Sequence, residues 1–420
     1  MKKTNTVKEA TTLVVRAEMS VVGGVYHEVC LRPSYHDVYG SAGRAASALS
    51  HLNVPVMLYT YADTDTTELL CERATHEGFG LSIQAASKPI YFDYDQGLAE
   101  PKIYGVPENK LPPQIIKDKN ILRYGMLEGT AIIDAEYAVY DPQNVLKPEK
   151  FGENGSKAEN LALVLNRYEA ASLSGKKELS TEEQATFLYA NKFAQVIIIK
   201  QGPAGALICD HGKISSVPAY ETQNVFKIGS GDAFAAYFAH AWMIEKASAH
   251  DAADRASRAT AYYCENNLFP SSEGLKNFNP VAIIPSAAFM SGRRPSVYLA
   301  GPFFTLAQLW LVDQARRNLI DLGMKVFSPY HNVGPGVADE VVAKDLEGIR
   351  NADIVFAIGD GLDAGTIYEV GFARALGVPV VFYAENETEE DQKMMEGSGC
   401  ILCSDYVTAI YKTLWAVAKK

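Results

Sequence analysis

Three acidic residues near the end of the sequence have the types and spacing needed for chemistry at a glycosidic bond. Asp363 and Glu369 lie in the string Asp-Ala-Gly-Thr-Ile-Tyr-Glu, and Asp345 lies in a predicted helix before it. Glu369 has apolar neighbours, which indicates that it is not on a freely solvated face. A carboxylate at the edge of a sheet can attack an anomeric carbon and form a glycosyl intermediate, while a neighbouring aspartic acid with a raised pKa protonates the leaving base. The alternative is an acidic helix N-terminus favoured by the helix dipole.

A second set lies in the string Phe-Lys-Ile-Gly-Ser-Gly-Asp, which ends at Asp232. Gly229, Ser230 and Gly231 come just before a predicted helix, so their backbone N–H groups could converge on an anion at the positive end of the helix dipole. Asp232 could accept the proton of an attacking hydroxyl. The alternative is a simple turn and N-cap.

Two strings further upstream could support the same phosphate chemistry. Lys200, Gly202 and Gly205 lie in a pattern of strand, glycine-containing turn and strand. Asn166 and Glu169 are three positions apart, and on one helical face they could hold Mg²⁺ through water and so neutralise phosphate charge. For this pair the alternative is a solvated helix surface.

The elements that would position these residues follow an α/β pattern, because short β-branched runs alternate with longer amphipathic stretches. The predicted strands are Val54–Tyr59, Ala138–Tyr140, Val196–Lys200, Ala206–Cys209, Ser296–Leu299, Ile354–Ile358 and Val378–Phe382. The predicted helices are Ala45–Leu52, Ala158–Asn166, Thr181–Phe193, Asp232–Ile244, Ala252–Glu265, Leu306–Leu322 and Ala338–Arg350.

Proline, glycine and serine interrupt this periodicity between Phe269 and Arg294. A new alternation of strand and helix begins at Ser296. We therefore predict one domain over residues 12–285, a linker over 286–293 and a second domain over 294–420.

Composition narrows the class of protein. The chain has 420 residues, of which 48% are hydrophobic and 21% charged, as is typical of globular proteins. A formal net charge of −11 argues against a nucleic acid or an anionic membrane as the main partner. The sequence contains no apolar run long enough to predict a membrane-spanning helix. The first residues do not predict a cleaved signal. Six scattered cysteines fit the reduced thiols of a cytoplasmic protein.

Strings starting at Tyr298 (Tyr-Leu-Ala-Gly-Pro-Phe-Phe), Asp345 (Asp-Leu-Glu-Gly-Ile-Arg-Asn-Ala-Asp) and Asp363 (Asp-Ala-Gly-Thr-Ile-Tyr-Glu-Val-Gly) resemble the nucleoside 2-deoxyribosyltransferase family over nearly all of residues 295–385. The resemblance implies that Glu369 is the nucleophile and that Asp345 and Asp363 handle the nucleobase. It also implies a homo-oligomer and no cofactor for this domain. The substrate-binding residues expected from it are Tyr298, Gly301, Phe304, Asp360, Asp363 and Ser398.

The family typically borrows an Asn-containing segment from a neighbouring subunit to recognise the sugar 5′ group. The corresponding stretch here, Met-Met-Glu-Gly-Ser-Gly-Cys from Met394, contains no Asn. A 5′-phosphate held by Ser398 and backbone amides is therefore an alternative.

The earlier strings resemble the ribokinase family of PfkB-type sugar and nucleoside kinases over most of residues 20–265. The matching strings are Gly-Ser-Ala-Gly-Arg-Ala-Ala-Ser-Ala-Leu from Gly40, Asp-Pro-Gln from Asp141, Asn166 with Glu169, Lys200 with Gly202 and Gly205, and Gly-Ser-Gly-Asp from Gly229. The resemblance implies that Asp232 is the base, that Gly229, Ser230 and Gly231 form an anion hole, and that ATP with Mg²⁺ is the cofactor.

The sugar side departs from the family pattern. Arg44 stands where the family usually has a glycine pair followed by a sugar-binding Asn, and Tyr26-His27-Glu28 replaces the early sugar-binding Asp. Arg44 could face an anionic substrate, or it could pair with a carboxylate and disable the sugar pocket.

The sequence thus predicts a ribokinase-like three-layer α/β domain followed by a smaller flavodoxin-like or Rossmann-like doubly wound parallel sheet. The predicted function is the processing of nucleosides, nucleotides or pentoses: the second domain cleaves or transfers at an N-glycosidic bond, and the first phosphorylates a sugar or nucleoside hydroxyl with MgATP. The alternative is that the first domain is a catalytically degenerate nucleotide-binding or scaffold module that regulates the second.

Overall fold

The structure of the chain is a computed structural model that describes residues 11–144, 147–290 and 292–419. Position 291 of the predicted linker lies outside the described residues, as do the first ten residues. The chain forms two compact units. Unit 1 comprises the described residues up to Thr222 together with Phe226–Val281, and unit 2 comprises Gln223–Val225 and the described residues from Ala282 onward.

Unit 1 contains fourteen strands among the described residues. They are Thr11–Leu13 (β1), Met19–Val22 (β2), His27–Cys30 (β3), Tyr35–Val38 (β4), Val56–Ala62 (β5), Gly80–Ala85 (β6), Tyr91–Tyr94 (β7), Lys102–Tyr104 (β8), Gln114–Tyr124 (β9), Ala131–Asp141 (β10), Lys157–Asn166 (β11), Val196–Lys200 (β12), Ala206–Asp210 (β13) and Lys213–Val217 (β14). Its helices are Gly40–His51 (α1), Thr64–Glu77 (α2), Arg167–Ser174 (α3), Thr181–Ala190 (α4), Ser230–Ala239 (α5), Ala249–Asn266 (α6) and Ser272–Asn277 (α7).

Ten of these strands form one sheet in the order β1-β6-β5-β2-β9-β10-β11-β12-β13-β14, and its central pairs from β6 to β12 are parallel. A separate four-stranded sheet has the order β4-β3-β7-β8. Ile198 packs in a core with α1, α5 and α6, whereas its neighbours Ile197 and Ile199 pack in a core with α3 and α4. Since successive side chains of a strand point to opposite faces, the sheet is covered by helices on both sides. This confirms the predicted three-layer arrangement.

Unit 2 contains five strands and seven helices among the described residues. The strands are Ser296–Ala300 (β15), Lys325–Phe327 (β16), Ile354–Ile358 (β17), Val380–Tyr383 (β18) and Ile401–Cys403 (β19). The helices are Ala287–Met290 (α8), Leu306–Asp321 (α9), Pro329–Asn332 (α10), Ala338–Arg350 (α11), Ala364–Ala375 (α12), Glu389–Gly397 (α13) and Tyr406–Ala418 (α14). All strand pairs are parallel and the order is β16-β15-β17-β18-β19. Counted within unit 2 this is the order 2-1-3-4-5 of the flavodoxin-like folds, as predicted.

One predicted element is of the wrong type. The sequence predicts a helix over Ala158–Asn166, but this segment lies in β11, which pairs with β10 and β12. A strand buried between two neighbours carries a continuous apolar run, and such a run has no period that distinguishes it from a buried helix.

No helix in the described parts of the chain is long and apolar enough to cross a bilayer. None of the six cysteines, all of which lie within the described residues, forms a disulfide bond.

Candidate functional site

In unit 2, a buried tyrosine from the sheet and a glutamate from a helix meet directly. Tyr298 lies in the middle of β15 and is fully buried. Its hydroxyl donates a hydrogen bond of 2.5 Å to Oε1 of Glu369, which lies on α12. Burial raises the pKa of Glu369 to about 7; the charges of Asp345 and Asp363 also raise it, and the tyrosine hydrogen bond lowers it. The group is therefore a carboxylate of raised basicity near neutral pH.

Asp345 supplies a second carboxylate near Glu369. It lies on α11, and its Oδ1 is buried without a hydrogen-bond partner among the described residues. Burial raises the pKa of Asp345. A buried polar atom without a partner is costly to maintain, so this oxygen is available to a ligand group that donates or shares a proton.

Two other predicted carboxylates are bound to the chain itself. Asp363 is the N-cap of α12, and its Oδ2 accepts hydrogen bonds from the backbone N–H and the hydroxyl of Thr366 at 2.8 and 2.9 Å. Asp360 accepts hydrogen bonds from the backbone N–H groups of Asn386 and Glu385 at 2.8 and 3.2 Å. Asp363 thus has the capping role that the sequence left open as an alternative, and Asp360 holds the loop that follows β18.

Gly301 and Phe304 lie in the loop that follows β15. A Cβ at Gly301 would lie 3.1 Å from Cβ of Ile358, so this turn passes close to the end of β17. Phe304 is 73% exposed, and its ring centroid is 5.4 Å from that of Phe303, which in turn is 5.5 Å from that of Tyr330. The carboxyl ends of parallel strands are where open sheets bind ligands, and these three aromatic side chains follow β15 and β16 at that edge, Phe303 and Phe304 in a loop and Tyr330 on α10. Sequence reasoning missed Tyr330, although it closely follows the short strand β16.

The structure does not bring Ser398 to this group. Ser398 is the C-cap of α13, and its hydroxyl donates to the carbonyl oxygen of Met395 at 3.0 Å. Because α13 connects two parallel strands, its C-terminal end lies at the sheet edge opposite to Gly301 and Asp363. The structure thus places Ser398 away from the Tyr298–Glu369 pair of the same chain, and its expected contact with a 5′-phosphate stays a prediction.

In unit 1, the predicted anion hole lies at the start of α5. Gly229 is its N-cap with a φ of +73°, and Asp232 lies in its first turn. The Lys227 amine donates to the Ser230 hydroxyl at 2.9 Å. Burial lowers the pKa of Lys227. The helix start therefore has a lysine amine that sequence reasoning missed, although Lys227 is part of the same string.

Lys200 lies at the end of β12 next to this helix start. A Cβ at Gly231 would lie 3.4 Å from its Nζ, which also donates to Oδ2 of the fully buried Asp141 at 2.6 Å. Although burial alone would lower it, Asp141 and Glu169 raise the pKa of Lys200. Gly202 and Gly205 bound the 3-10 turn that follows β12, and both have positive φ angles, of 57° and 90°. Two lysines and a helix N-terminus are a donor set that fits phosphate oxygens.

Asn166 and Glu169 form a capping box rather than sharing a helix face. Asn166 is the N-cap of α3, its Oδ1 accepts from the Glu169 N–H, and Glu169 Oε2 accepts from the Asn166 N–H, both at 2.8 Å. Burial, with the charge of Asp141, raises the pKa of Glu169 to about 7. The predicted placement of both on one helical face is therefore corrected. Among the described residues, no group of three or more His, Cys, Asp or Glu is arranged to hold a metal ion.

Asp232 already has partners from this chain. Its Oδ2 lies 3.6 Å from Nε of the fully buried Arg44, whose Nη2 is hydrogen-bonded to Glu28. Its Oδ1 accepts a hydrogen bond of 2.9 Å from the side-chain amide of Gln143. Of the two roles that the sequence left open for Arg44, the structure shows pairing with carboxylates.

Two family models match parts of the chain. The model described as pfkB family carbohydrate kinase matches residues 161–267, and the model described as nucleoside 2-deoxyribosyltransferase matches residues 297–400. The first match includes Asp232 and Lys200, and the second includes Tyr298, Asp345 and Glu369. None of the curated proteins compared with this chain matches it.

Similar solved structures align with the chain over about three fifths of its length. A ribokinase from Thermotoga maritima has 17% sequence identity, covers 62% of this chain and 98% of its own, and has a TM-score of 0.48. A fructokinase from Vibrio cholerae, in a form with bound fructose, ADP and calcium, has 14% identity, the same coverage and a TM-score of 0.48. A pyrophosphate-dependent kinase of the ribokinase family has 14% identity, covers 59% and 95%, and has a TM-score of 0.45. The chain thus contains a segment similar to pfkB carbohydrate kinases, followed by a segment similar to nucleoside 2-deoxyribosyltransferases.

Proposed function

We propose that unit 2 cleaves the N-glycosidic bond of a nucleoside, a deoxynucleoside or its 5′-monophosphate through a covalent glycosyl intermediate on Glu369. The observation that carries the proposal is the hydrogen bond between Tyr298 and Glu369, which holds a half-buried carboxylate of raised pKa in one orientation beside a second carboxylate. The similarity of residues 297–400 to nucleoside 2-deoxyribosyltransferases supports the same chemistry.

In the proposed first step, a carboxylate oxygen of Glu369 forms a bond to C1′ while the bond from C1′ to the base nitrogen breaks. The base leaves with the electron pair of that bond and takes a proton from Asp345. Burial raises the pKa of Asp345, which favours the protonated form that a general acid needs. In the second step an acceptor gives its proton to the Asp345 carboxylate and attacks C1′, the glycosyl ester bond breaks, and both the Glu369 carboxylate and protonated Asp345 are restored. Water as acceptor makes the enzyme a hydrolase, and a second base makes it a transferase.

Burial raises the pKa of both carboxylates, and Glu369 also accepts the Tyr298 hydrogen bond, which lowers its pKa. Both the low polarity around Glu369 and the charge of Asp345 raise the pKa of the nucleophile, so its carboxylate form is reactive once it is deprotonated. The Tyr298 hydrogen bond partly offsets this and keeps a useful fraction ionised at neutral pH. The two carboxylates differ in hydrogen bonding: the Tyr298 hydroxyl stabilises the ionised form of Glu369, whereas Oδ1 of Asp345 has no partner among the described residues.

The test follows free base by chromatography with a panel of deoxynucleosides, ribonucleosides and their monophosphates. We expect base release to fall at least about a thousandfold in Glu369→Ala and in the isosteric Glu369→Gln. Asp232→Ala, which changes the other unit, is the matched control and should retain the activity. Base release that persists unchanged in both Glu369 variants contradicts the proposal.

For unit 1 we propose the binding of MgATP, with Lys200, Lys227 and the backbone of Gly229, Ser230 and Gly231 at the phosphates. Asn166 and Glu169 would hold Mg²⁺ through water, and the bound nucleotide would supply a phosphoryl group. One candidate function is transfer to a sugar or nucleoside hydroxyl deprotonated by Asp232. The other is a nucleotide-binding or scaffold module that regulates unit 2. The ion pair of Asp232 with Arg44 favours the second candidate.

We also propose a cytoplasmic location and a homo-oligomeric state. The first is supported by six cysteines without disulfide bonds. The second is supported by the similarity of residues 297–400 to its family and is tested by light scattering of the purified protein.

A further inference from the structure

Arg44 connects two carboxylates inside unit 1. The residue lies on α1 with its side chain fully buried. Its Nη2 is hydrogen-bonded to Oε2 of the buried Glu28, and its Nε lies 3.6 Å from Oδ2 of Asp232. Burial raises the pKa of Glu28, and the charge of Arg44 counteracts this effect. The guanidinium is thus held by a buried ion pair on one side and reaches Asp232 on the other.

The same guanidinium fills the space beside the start of α5. A Cβ at Gly229 would lie 1.6 Å from Nε of Arg44 and 2.1 Å from its Cζ. The Cζ atom also lies 5.0 Å from the ring centroid of Tyr39 and 5.9 Å from that of Tyr263. The volume between Asp232, Gly229 and these rings is therefore occupied by a side chain of the protein itself.

The second oxygen of Asp232 is also engaged. Gln143 donates from its side-chain amide to Oδ1 of Asp232 at 2.9 Å, and its own side-chain oxygen accepts from the Ser41 hydroxyl at 2.5 Å. Gln143 has a φ of +55°, which is uncommon for a residue other than glycine. A hydroxyl that Asp232 deprotonates must come within hydrogen-bond distance of one of these oxygens. Oδ1 is hydrogen-bonded to Gln143, and Oδ2 lies in an ion pair with Arg44.

Displacement of Arg44 by a neutral acceptor is unfavourable. A sugar hydroxyl cannot replace the charge that Glu28 needs, and removing one partner of a buried ion pair destabilises a protein because the other charge stays buried and unpaired. In contrast, the amine of Lys200 lies beside Gly231 and that of Lys227 donates to the Ser230 hydroxyl at the same helix start. Nη1 of Arg44 is buried without a hydrogen-bond partner among the described residues. The guanidinium therefore keeps an N–H donor that no described residue uses.

We propose that the Arg44 side chain fills the space beside Asp232 in which a sugar or nucleoside acceptor would have to bind. Unit 1 therefore binds a phosphate-bearing nucleotide without transferring a phosphoryl group to a sugar or nucleoside. This inference rests on the nucleotide binding proposed above. It assigns to Arg44 the exclusion of the acceptor, and to Glu28 and Gln143 the positioning of Arg44 and Asp232.

The experiment compares the full-length wild type with the double variant Glu28→Gln/Arg44→Ala, which removes both partners of the buried pair. Acceptor binding is measured as the shift of thermal midpoint with 10 mM ribose, fructose or adenosine, and MgATP binding by calorimetry. ADP release is followed with and without each acceptor. Glu28→Gln/Arg44→Met, which keeps more of the packing, is the second variant if the first unfolds early.

We expect the wild type to show no midpoint shift with any acceptor and less than a twofold effect of acceptors on ADP release. The double variant should gain a shift of at least about 2 °C with one acceptor. Acceptor-stimulated ADP release by the wild type that falls in Asp232→Asn overturns the inference. A folded variant that gains no acceptor binding also overturns it. A wild type that does not bind MgATP contradicts the proposed nucleotide binding instead, because the acceptor shifts are measured without nucleotide.

Discussion

The hydroxyl of Tyr298 donates a hydrogen bond of 2.5 Å to Oε1 of Glu369, and the two residues are 71 positions apart in the sequence. Tyr298 comes from the sheet and Glu369 from the helix packed on it. The hydrogen bond fixes the orientation of the carboxylate and lowers its pKa, in opposition to burial. It therefore links the geometry of the proposed nucleophile to its state of protonation.

Tyr298→Phe should shift the pH dependence of base release. The nucleophile reacts as a carboxylate, so in the wild type kcat should rise with pH up to about 7, the pKa to which burial raises Glu369. Removal of the hydrogen bond raises that pKa, and the rising limb should move to higher pH by roughly one unit. The measurement is kcat against pH from 5 to 9. The control is Tyr330→Phe, which removes the hydroxyl of a tyrosine on α10. If the rising limb of kcat lies at the same pH in the wild type and in both variants, the assignment of Glu369 as the nucleophile is contradicted.

Glu369→Gln should stabilise unit 2 at high pH. The folded-state pKa of about 7 lies above the usual value of 4.5, so the folded state binds the proton more tightly. Stability is therefore lost as pH rises from about 4.5 to 7. The neutral variant lacks this loss. Its free energy of unfolding should exceed that of the wild type by about 2 kcal/mol at pH 8 and should equal it near pH 4.5. Urea unfolding at both pH values measures it, with the exposed Glu396→Gln as control. Equal stability of variant and wild type at pH 8 would show that burial of the charge is not costly.

Asp345→Asn should impair the release of ordinary bases more than that of a base that needs no proton. An amide cannot supply the proton, and the loss of a general acid slows a reaction by about 10²–10⁴-fold. An N7-methylated purine nucleoside carries a positive charge on its base and leaves without protonation, so its cleavage should be retained to within about tenfold. Base release from both substrates is compared. An equal loss with both substrates indicates a structural role for Asp345.

The contact between Arg44 and Gly229 can be tested by a double-mutant cycle. Gly229→Ala introduces both the strain of a positive φ and a clash with the guanidinium, whereas in an Arg44→Ala background only the strain remains. We expect a coupling energy of at least about 1 kcal/mol in denaturant unfolding. Gly78→Ala is the matched control, because Gly78 has a φ of +81° but its Cβ would meet nothing within 4 Å. Gly78→Ala should show no coupling energy with Arg44→Ala. If Gly229→Ala also shows none, the close packing of the Arg44 guanidinium against Gly229 is contradicted.

Asn166→Ala separates the capping role of this residue from a role in metal binding. Loss of the N-cap should lower stability by about 1 kcal/mol, to the same extent with and without Mg²⁺. The matched control is Ser180→Ala, which removes the N-cap of an equivalent capping box on α4. Calorimetry then compares MgATP binding by the two variants. Weaker binding in Asn166→Ala alone supports the proposed Mg²⁺ contact, and equal binding in both contradicts it.

The elements of the fold could largely be predicted from the sequence, because they depend on local patterns. The strand Val196–Lys200 and the helix Ala338–Arg350 have the predicted bounds. The prediction failed at β11, where a buried apolar run has no distinguishing period. The order of strands in unit 2 agrees with the resemblance found in its motifs.

The sequence by itself determined which residues could do chemistry and on which elements they lie, since spacing and residue type specify helix starts, strand ends and acidic strings. Only the tertiary structure decided which of them meet. It pairs Tyr298 with Glu369 and places Arg44 against Asp232. Asp363 caps its own helix, and Asp360 binds the backbone of the loop that follows β18. The reason is physical: an ion pair or a hydrogen bond between distant residues depends on how elements pack, and local periodicity carries no information about that distance.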